Sequence, residues 1–179
     1  MKKTDIRKIV RIAMFAAVMA VLSQIALPLP SGVPITLQTF AIALAAASLS
    51  CFEATAATLV YVLLGLVGMP VFSFFGGGIG KFLSPSGGFI YGFIPFVYLC
   101  ACGAKVIFEN KKSLWVGIIL SAAGLAACHL CGVLHFSFVC KTPLLYAFLT
   151  ASAPYIIKDI ISVAIAFAIG KKIRKRISS

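Results

Sequence analysis

Residues 65–93, GLVGMPVFSFFGGGIGKFLSPSGGFIYGF, break a chain that is otherwise apolar almost from end to end. Gly76, Gly77, Gly78 and Gly80 let the backbone turn and approach a ligand where a Cβ would obstruct it. Pro70 and Pro85 punctuate any helix running through the segment. Such a stretch suits a lid over a ligand, and it equally suits an ordinary connecting loop. The long hydrophobic runs on both sides decide the fold class: this is a break between membrane helices.

Of 179 residues, 61% are hydrophobic and 11% are charged, against about 25% charged in an average soluble domain. No soluble region is large enough for a second domain, so residues 1–179 are read as one membrane domain. The first apolar run, Met14 to Ala26, follows a basic start and superficially resembles a secretory signal. It lacks a convincing small-x-small cleavage pattern, and five more apolar runs follow it.

A net charge of +12 invites a nucleic-acid reading until the basic residues are located. Lys2, Lys3, Arg7, Lys8 and Arg11 open the chain, Lys105, Lys111 and Lys112 sit in a central connection, and Lys171, Lys172, Arg174, Lys175 and Arg176 close it. These are membrane flanks, and positive-inside bias assigns all three clusters to the cytoplasm. Cytoplasmic termini require an even number of crossings. Six spans satisfy this, at about 9–27, 38–50, 55–71, 89–104, 114–134 and 144–170, with the glycine-rich segment outside. The second is short, its apolar part being Phe40–Ser50, where a perpendicular helix needs roughly 20 residues.

Asp159 is the one acidic residue well inside a span, and intramembrane charge, costing roughly 2.5–3.5 kcal/mol on insertion scales, normally faces a cavity, a partner or a substrate. Ser152, Tyr155, Asp159 and Ser162 follow a 3-4-3 spacing and share one helix face. Lys158, about 100° away around the helix, either reaches the outer interface or bends to pair with Asp159. In the outer loop VPITLQT, Thr36, Gln38 and Thr39 offer hydroxyls and an amide, and Gln38 can both donate and accept, as a ureido or amide ligand requires. Helix capping would explain these residues equally well.

GGGIGKF imitates a phosphate loop, but Phe75 stands where glycine is required and Phe82 where a hydroxyl is required. If the protein moves a solute against a gradient, ATP hydrolysis has to happen on another chain. Cys128, His129 and Cys131 raise a thiol or metal-enzyme alternative, without a second ligand pair at zinc spacing. On span one, Ala13 and Ala17, and likewise Ala16 and Ala20, stack four apart and make a closely packable face, for the bundle itself or for a partner.

Taken together, the alanine ladder, VPITLQT, GLVGMPVF with the glycine run, SPSGGFIYGF and APYIIKD resemble the biotin-specific substrate-binding subunits, or S components, of energy-coupling-factor transporters. The resemblance spans nearly the whole chain. It implies an all-α integral membrane protein, a six-transmembrane-helix S-component bundle with both termini cytoplasmic, which captures biotin from outside without catalysing a reaction or carrying a cofactor. The family's proline-threonine-glutamine loop corresponds to Pro34, Thr36 and Gln38. Its G-P-T-G-G-Y segment corresponds to Ser84, Pro85, Ser86, Gly87, Gly88 and Phe89, with serine for glycine and phenylalanine for tyrosine. Its last-helix acid is Asp159, and Ser162 stands in place of its usual lysine.

The implied ligand contacts are Thr36, Gln38, Gly77, Gly78, Ser86, Gly87, Gly88, Tyr155, Lys158 and Asp159, with Lys158 taking over the missing charge beside backbone N–H groups of the glycine loop. Phe72, Phe74, Phe89 and Tyr91 would form the apolar wall. Ala13, Ala16, Ala17 and Ala20 would meet a transmembrane coupling subunit that carries two cytosolic ATPases. Expected location is the cytoplasmic membrane, multi-pass, with lipid and no nucleic acid as surroundings. The alternatives are an S component for another vitamin, a self-sufficient facilitator, or the thiol or metal enzyme.

Overall fold

In a computed structural model, residues 3–109 and 114–177 are described; Lys2, Lys111 and Lys112 of the basic flanks lie outside them. Among the described residues are eight α-helices, one minimal β-ribbon and a single 3-10 turn at Ser73–Phe75. The helices are α1 (Lys3–Ser23), α2 (Gln38–Ser48), α3 (Cys51–Leu66), α4 (Ile79–Leu83), α5 (Gly87–Glu109), α6 (Leu114–Cys140), α7 (Leu144–Ala151) and α8 (Ala153–Ile177). Three of them, α5, α6 and α8, are long and apolar enough to cross a membrane by themselves. Two shorter apolar helices, α2 and α3, complete the apolar set.

The short second span has a structural explanation. At 11 residues, α2 is roughly 16 Å long at 1.5 Å per residue, about half a bilayer's hydrocarbon thickness. It is the core of the bundle: Ala41, Ala43, Ala45, Ala46 and Ala47 are fully buried, and α1, α3, α5 and α8 all pack on it. A chain of alanines lets four neighbours approach one short helix closely. Strands β1 (Ala26–Leu27) and β2 (Ile35–Thr36) pair antiparallel just before α2, Ala26 opposite Thr36 and Leu27 opposite Ile35. That ribbon folds the loop between them back over the end of the bundle and delivers Thr36 and Gln38 to its interior.

At the opposite end of α2, Ser50 caps α3: its side chain accepts from the Glu53 backbone N–H, and the Glu53 side chain accepts from the Ser50 N–H. The same carboxylate accepts from Arg11 Nε at 3.1 Å and Nη2 at 2.6 Å, tying α1 to the α2–α3 turn.

The last expected span, 144–170, is two helices. Proline has no N–H, and the residue before it is pushed away from helical geometry, so Pro154 interrupts the chain's hydrogen bonding and starts a new helix with itself in the first turn. Ser152 sits at the junction with φ −126° and ψ −54°. The tightest seam joins α5 to α6. A Cβ on Gly88 would lie 2.4 Å from Cys131 O, one on Gly92 would lie 2.8 Å from Cys128 Cα, and one on Gly103 would lie 2.5 Å from Gly117 O.

Between α3 and α5 the glycine-rich segment packs down onto the bundle. Phe72 is fully buried with its ring over Gly65, edge-on to Tyr61 at 5.3 Å and to Phe82 at 5.7 Å between ring centres. Gln24, just past α1, holds it from the side, accepting from Phe75 N at 2.9 Å and donating to Phe72 O at 3.2 Å.

Candidate ligand site

Beneath that segment lies a cavity of about 50 Å³ to which the β-ribbon, α2, α4, α5, α6 and α8 all contribute side chains. On its α2 side Gln38 is almost fully buried. Its Nε2 donates to the Tyr61 hydroxyl at 2.7 Å, and its Oε1 accepts from Thr36 Oγ1 at 3.0 Å. The amide is therefore locked in orientation by two partners, which is how a polar group is kept ready inside an apolar wall.

On the opposite side α8 presents Asp159, 5% exposed. Lys158 Nζ pairs with Asp159 Oδ1 and donates to Thr36 O at 2.9 Å. From α6, His129 brings Nε2 to 3.3 Å from Asp159 Oδ2, while its Nδ1 stands 2.9 Å from Ser152 Oγ. Tyr155, also on α8, donates its hydroxyl to Val33 O and so ties the loop between the strands to the last helix. Phe72, Phe89, Ile90, Phe93 and Leu125 form the apolar part of the wall. Lys81, on α4, lines the same cavity half-buried, and among the described residues its ammonium makes no hydrogen bond or ion pair. Burial holds its pKa below the ordinary lysine value.

Thr36, Gln38, Ser86, Tyr155, Lys158 and Asp159 thus come together from distant parts of the chain, as the sequence leads one to expect. The glycines do not join them. A Cβ on Gly77 would meet Met69 O at 2.3 Å and one on Gly87 would meet Phe82 O at 1.9 Å, so these glycines serve close backbone packing. Gly88 serves the α5–α6 seam, and Gly78, at φ +79°, serves a turn. Phe74 is half exposed outside the cavity, and Tyr91 donates to Phe82 O beyond the cavity wall. Ala16 is 3% exposed and Ala20 packs against the same core, so this ladder is used within the chain. Ala13 and Ala17 face outward.

Two lining residues, His129 and Lys81, together with Tyr61 behind Gln38, carry chemistry that the sequence leaves unassigned. His129 reads there only as part of a cysteine-histidine run, although a histidine amid an apolar span is as unusual as Asp159 and calls for a partner. Lys81 stands in the sequence only within the GGGIGKF run, and Tyr61 lies in an apolar span with nothing to single it out. Cys128, which would anchor a thiol or metal centre, is buried with Sγ 3.8 Å from Phe89 O. Among the described residues no group of three or more His, Cys, Asp and Glu is placed to hold a metal ion.

A family model described as the BioY family matches residues 1–179. This chain belongs to the BioY family. It is 31% identical over 178 residues to biotin transporter BioY2 of Lactococcus lactis subsp. cremoris, covering 99% of this chain and 96% of that one. It is likewise 31% identical over 169 residues to biotin transporter BioY of Thermotoga maritima, covering 94% and 96%. The crystal structure at 2.1 Å of the S-component for biotin from an ECF-type ABC transporter superposes with a TM-score of 0.85 at 26% identity, covering 98% of this chain and 95% of that one. With three helices long and apolar enough to cross a bilayer, this BioY-family chain is a multi-pass, all-α membrane protein.

Proposed function

We propose that the chain is the capture subunit for biotin uptake, holding the vitamin between the Gln38 amide and the Asp159 cluster and performing no covalent chemistry. The observation that carries this reading is the arrangement of two preorganised polar groups across one apolar cavity, Gln38–Tyr61–Thr36 on one side and Asp159–Lys158–His129 on the other. Biotin has a planar ureido group, an apolar sulfur ring and an aliphatic acid tail. The carboxylate and the amide suit the ureido N–H and C=O, and the phenylalanines suit the ring.

The carboxylate of the ligand is best matched by Lys81. Lys158 is already engaged by Asp159 and Thr36 O, whereas Lys81 reaches the cavity without a partner among the described residues, from the side that the glycine-rich segment covers. Its position supports a division of labour, with Lys158 orienting Asp159 and Lys81 neutralising the acid tail. Typical ligand pockets are about 300–1,000 Å³, so a cavity of about 50 Å³ has to widen for the ligand, and we assign that widening to Phe72 and α4, which line it on the side of the glycine-rich segment.

In the cytoplasmic membrane α1, α2, α3, α5, α6 and α8 make six crossings, with both termini cytoplasmic as the basic flanks indicate. The outward face of Ala13 and Ala17 docks a transmembrane coupling subunit bearing two ATPases, and no resident cofactor is required. Vesicles containing the chain together with such a coupling module should accumulate labelled biotin in an ATP-dependent manner. ATP-independent accumulation by the chain alone would favour a facilitator, and no accumulation of biotin by an assembled complex would contradict the proposal.

A further inference from the structure

At the basic end of the bundle, far from the ligand cavity, a cleft of about 240 Å³ is lined by Arg11, Ser48, Ser50, Glu53 and Arg174 together with Leu49 and Ile177. It lies at the start of α3, where the first-turn N–H groups carry the positive end of the helix dipole. Two of its lining groups are unpartnered among the described residues. Ser48 is 1% exposed, and its buried Oγ has no hydrogen-bond partner there. Arg174 Nη1 is likewise buried without one among the described residues. The neighbouring Nη2 is occupied by Glu109 at 2.8 Å, and the guanidinium lies over the Phe108 ring.

The one carboxylate lining the cleft is fully engaged. Glu53 Oε1 accepts from Arg11, and Glu53 Oε2 accepts from the Ser50 N–H and hydroxyl. What is left is an excess of donors, one of them cationic. Glu109 answers the Arg174 charge at Nη2, and the N–H left over at Nη1 favours a further anionic acceptor over water, because charge-assisted hydrogen bonds are about twice as strong as neutral ones.

We infer that this cleft binds a phosphate group through Ser48 Oγ and Arg174 Nη1, presented by an anionic phospholipid of the adjoining leaflet. The lipid source is favoured by what surrounds the cleft: Lys171, Lys172, Lys175 and Arg176 flank Arg174 at the end of α8. Such juxtamembrane clusters attract anionic headgroups, at about 1 kcal/mol per basic residue near the surface. The cluster draws headgroups to the surface, and the cleft holds one of them.

The test titrates the purified full-length protein with short-chain phosphatidylglycerol, with phosphatidylcholine of the same chain length, and separately with inorganic phosphate at fixed ionic strength, reading occupancy by native mass spectrometry. Phosphatidylglycerol should bind about tenfold or more tighter than phosphatidylcholine. Ser48→Ala and Arg174→Gln should each weaken it several-fold, whereas Lys171→Gln with Lys172→Gln should leave the tight site in place. An unchanged lipid-free unfolding midpoint for Ser48→Ala, a one-atom deletion, separates loss of the site from loss of the fold. Saturable binding of inorganic phosphate with the same sensitivity to both variants extends the site to free phosphate, and binding of lipid alone restricts it to headgroups. Equal binding of the two lipids, or tight binding that survives Ser48→Ala and Arg174→Gln and disappears with Lys171→Gln and Lys172→Gln, would overturn the inference.

Discussion

His129 Nε2 lies 3.3 Å from Asp159 Oδ2, so α6 and α8, which flank an apolar groove of about 650 Å³, converge on a single carboxylate. Ser152 Oγ holds the other ring nitrogen of the imidazole, and Lys158 holds the other oxygen of Asp159. The carboxylate is thereby fixed from two helices while its edge borders the cavity. Asp159→Asn should weaken biotin binding by about 10- to 100-fold, the loss of a charged hydrogen bond worth roughly 1.5–3 kcal/mol. His129→Gln should weaken it less, since it removes an orienting contact and leaves the charge. Titration calorimetry on both variants checks the order, and equal affinities for Asp159→Asn and the parent chain would contradict it.

Separating the two lysines requires a ligand without the acid. Lys81→Gln should lower affinity for biotin while leaving biotin amide almost unaffected, because the amide has no charge for Lys81 to neutralise. Lys158→Gln should lower affinity for both ligands and also reduce thermal stability, since removing one member of a buried ion pair costs about 3–5 kcal/mol. If Lys158→Gln instead discriminates acid from amide and Lys81→Gln does not, the assignments exchange.

Gly88 and Gly80 come from the same glycine-rich region but do different work. A Cβ on Gly88 would lie 2.4 Å from both Cys131 O and His135 Cβ, whereas one on Gly80 would find nothing within 4 Å. Gly88→Ala should therefore destabilise the protein by about 1–3 kcal/mol through overpacking of the α5–α6 seam. Gly80→Ala should be close to neutral in a thermal melt, and a comparable loss in both would argue that the segment is under a constraint other than packing.

Much of this was legible in the residues themselves. Asp159, an isolated acid in an apolar span, and Gln38, an amide between a proline and an alanine helix, declared themselves by the cost of burying them. The glycines are ambiguous because a glycine records only that a Cβ is forbidden. Gly77 and Gly87 are excluded from bearing one by backbone carbonyls, and a ligand would leave the same mark in the sequence. His129 and Lys81 escaped because their roles depend on which helices become neighbours. The 27 residues of α6 have apolar side chains on almost every face, so periodicity alone could not tell which side His129 presents to α8. The division of the final span at Ser152 was readable from Pro154, which the run of apolar residues on both sides outweighed.

Ala13 and Ala17 lie on the outward face of α1, whereas Ala16 and Ala20 are turned into the chain's own core. The Ala13→Trp, Ala17→Trp double variant should bind biotin about as well as the parent chain and fail to co-purify with the coupling subunit. Ala16→Trp should compromise folding itself. Normal assembly of the Ala13, Ala17 double variant would place the coupling interface elsewhere.

The central claim is that the cavity between Gln38 and Asp159 is a biotin site, and the measurement closest to it is titration calorimetry of the detergent-purified chain against a panel of vitamins. Biotin should bind at one molecule per chain, about 100-fold or more tighter than any other member, a discrimination of roughly 2.7 kcal/mol. A folded preparation that does not bind biotin, or that binds another vitamin more tightly, would contradict the account.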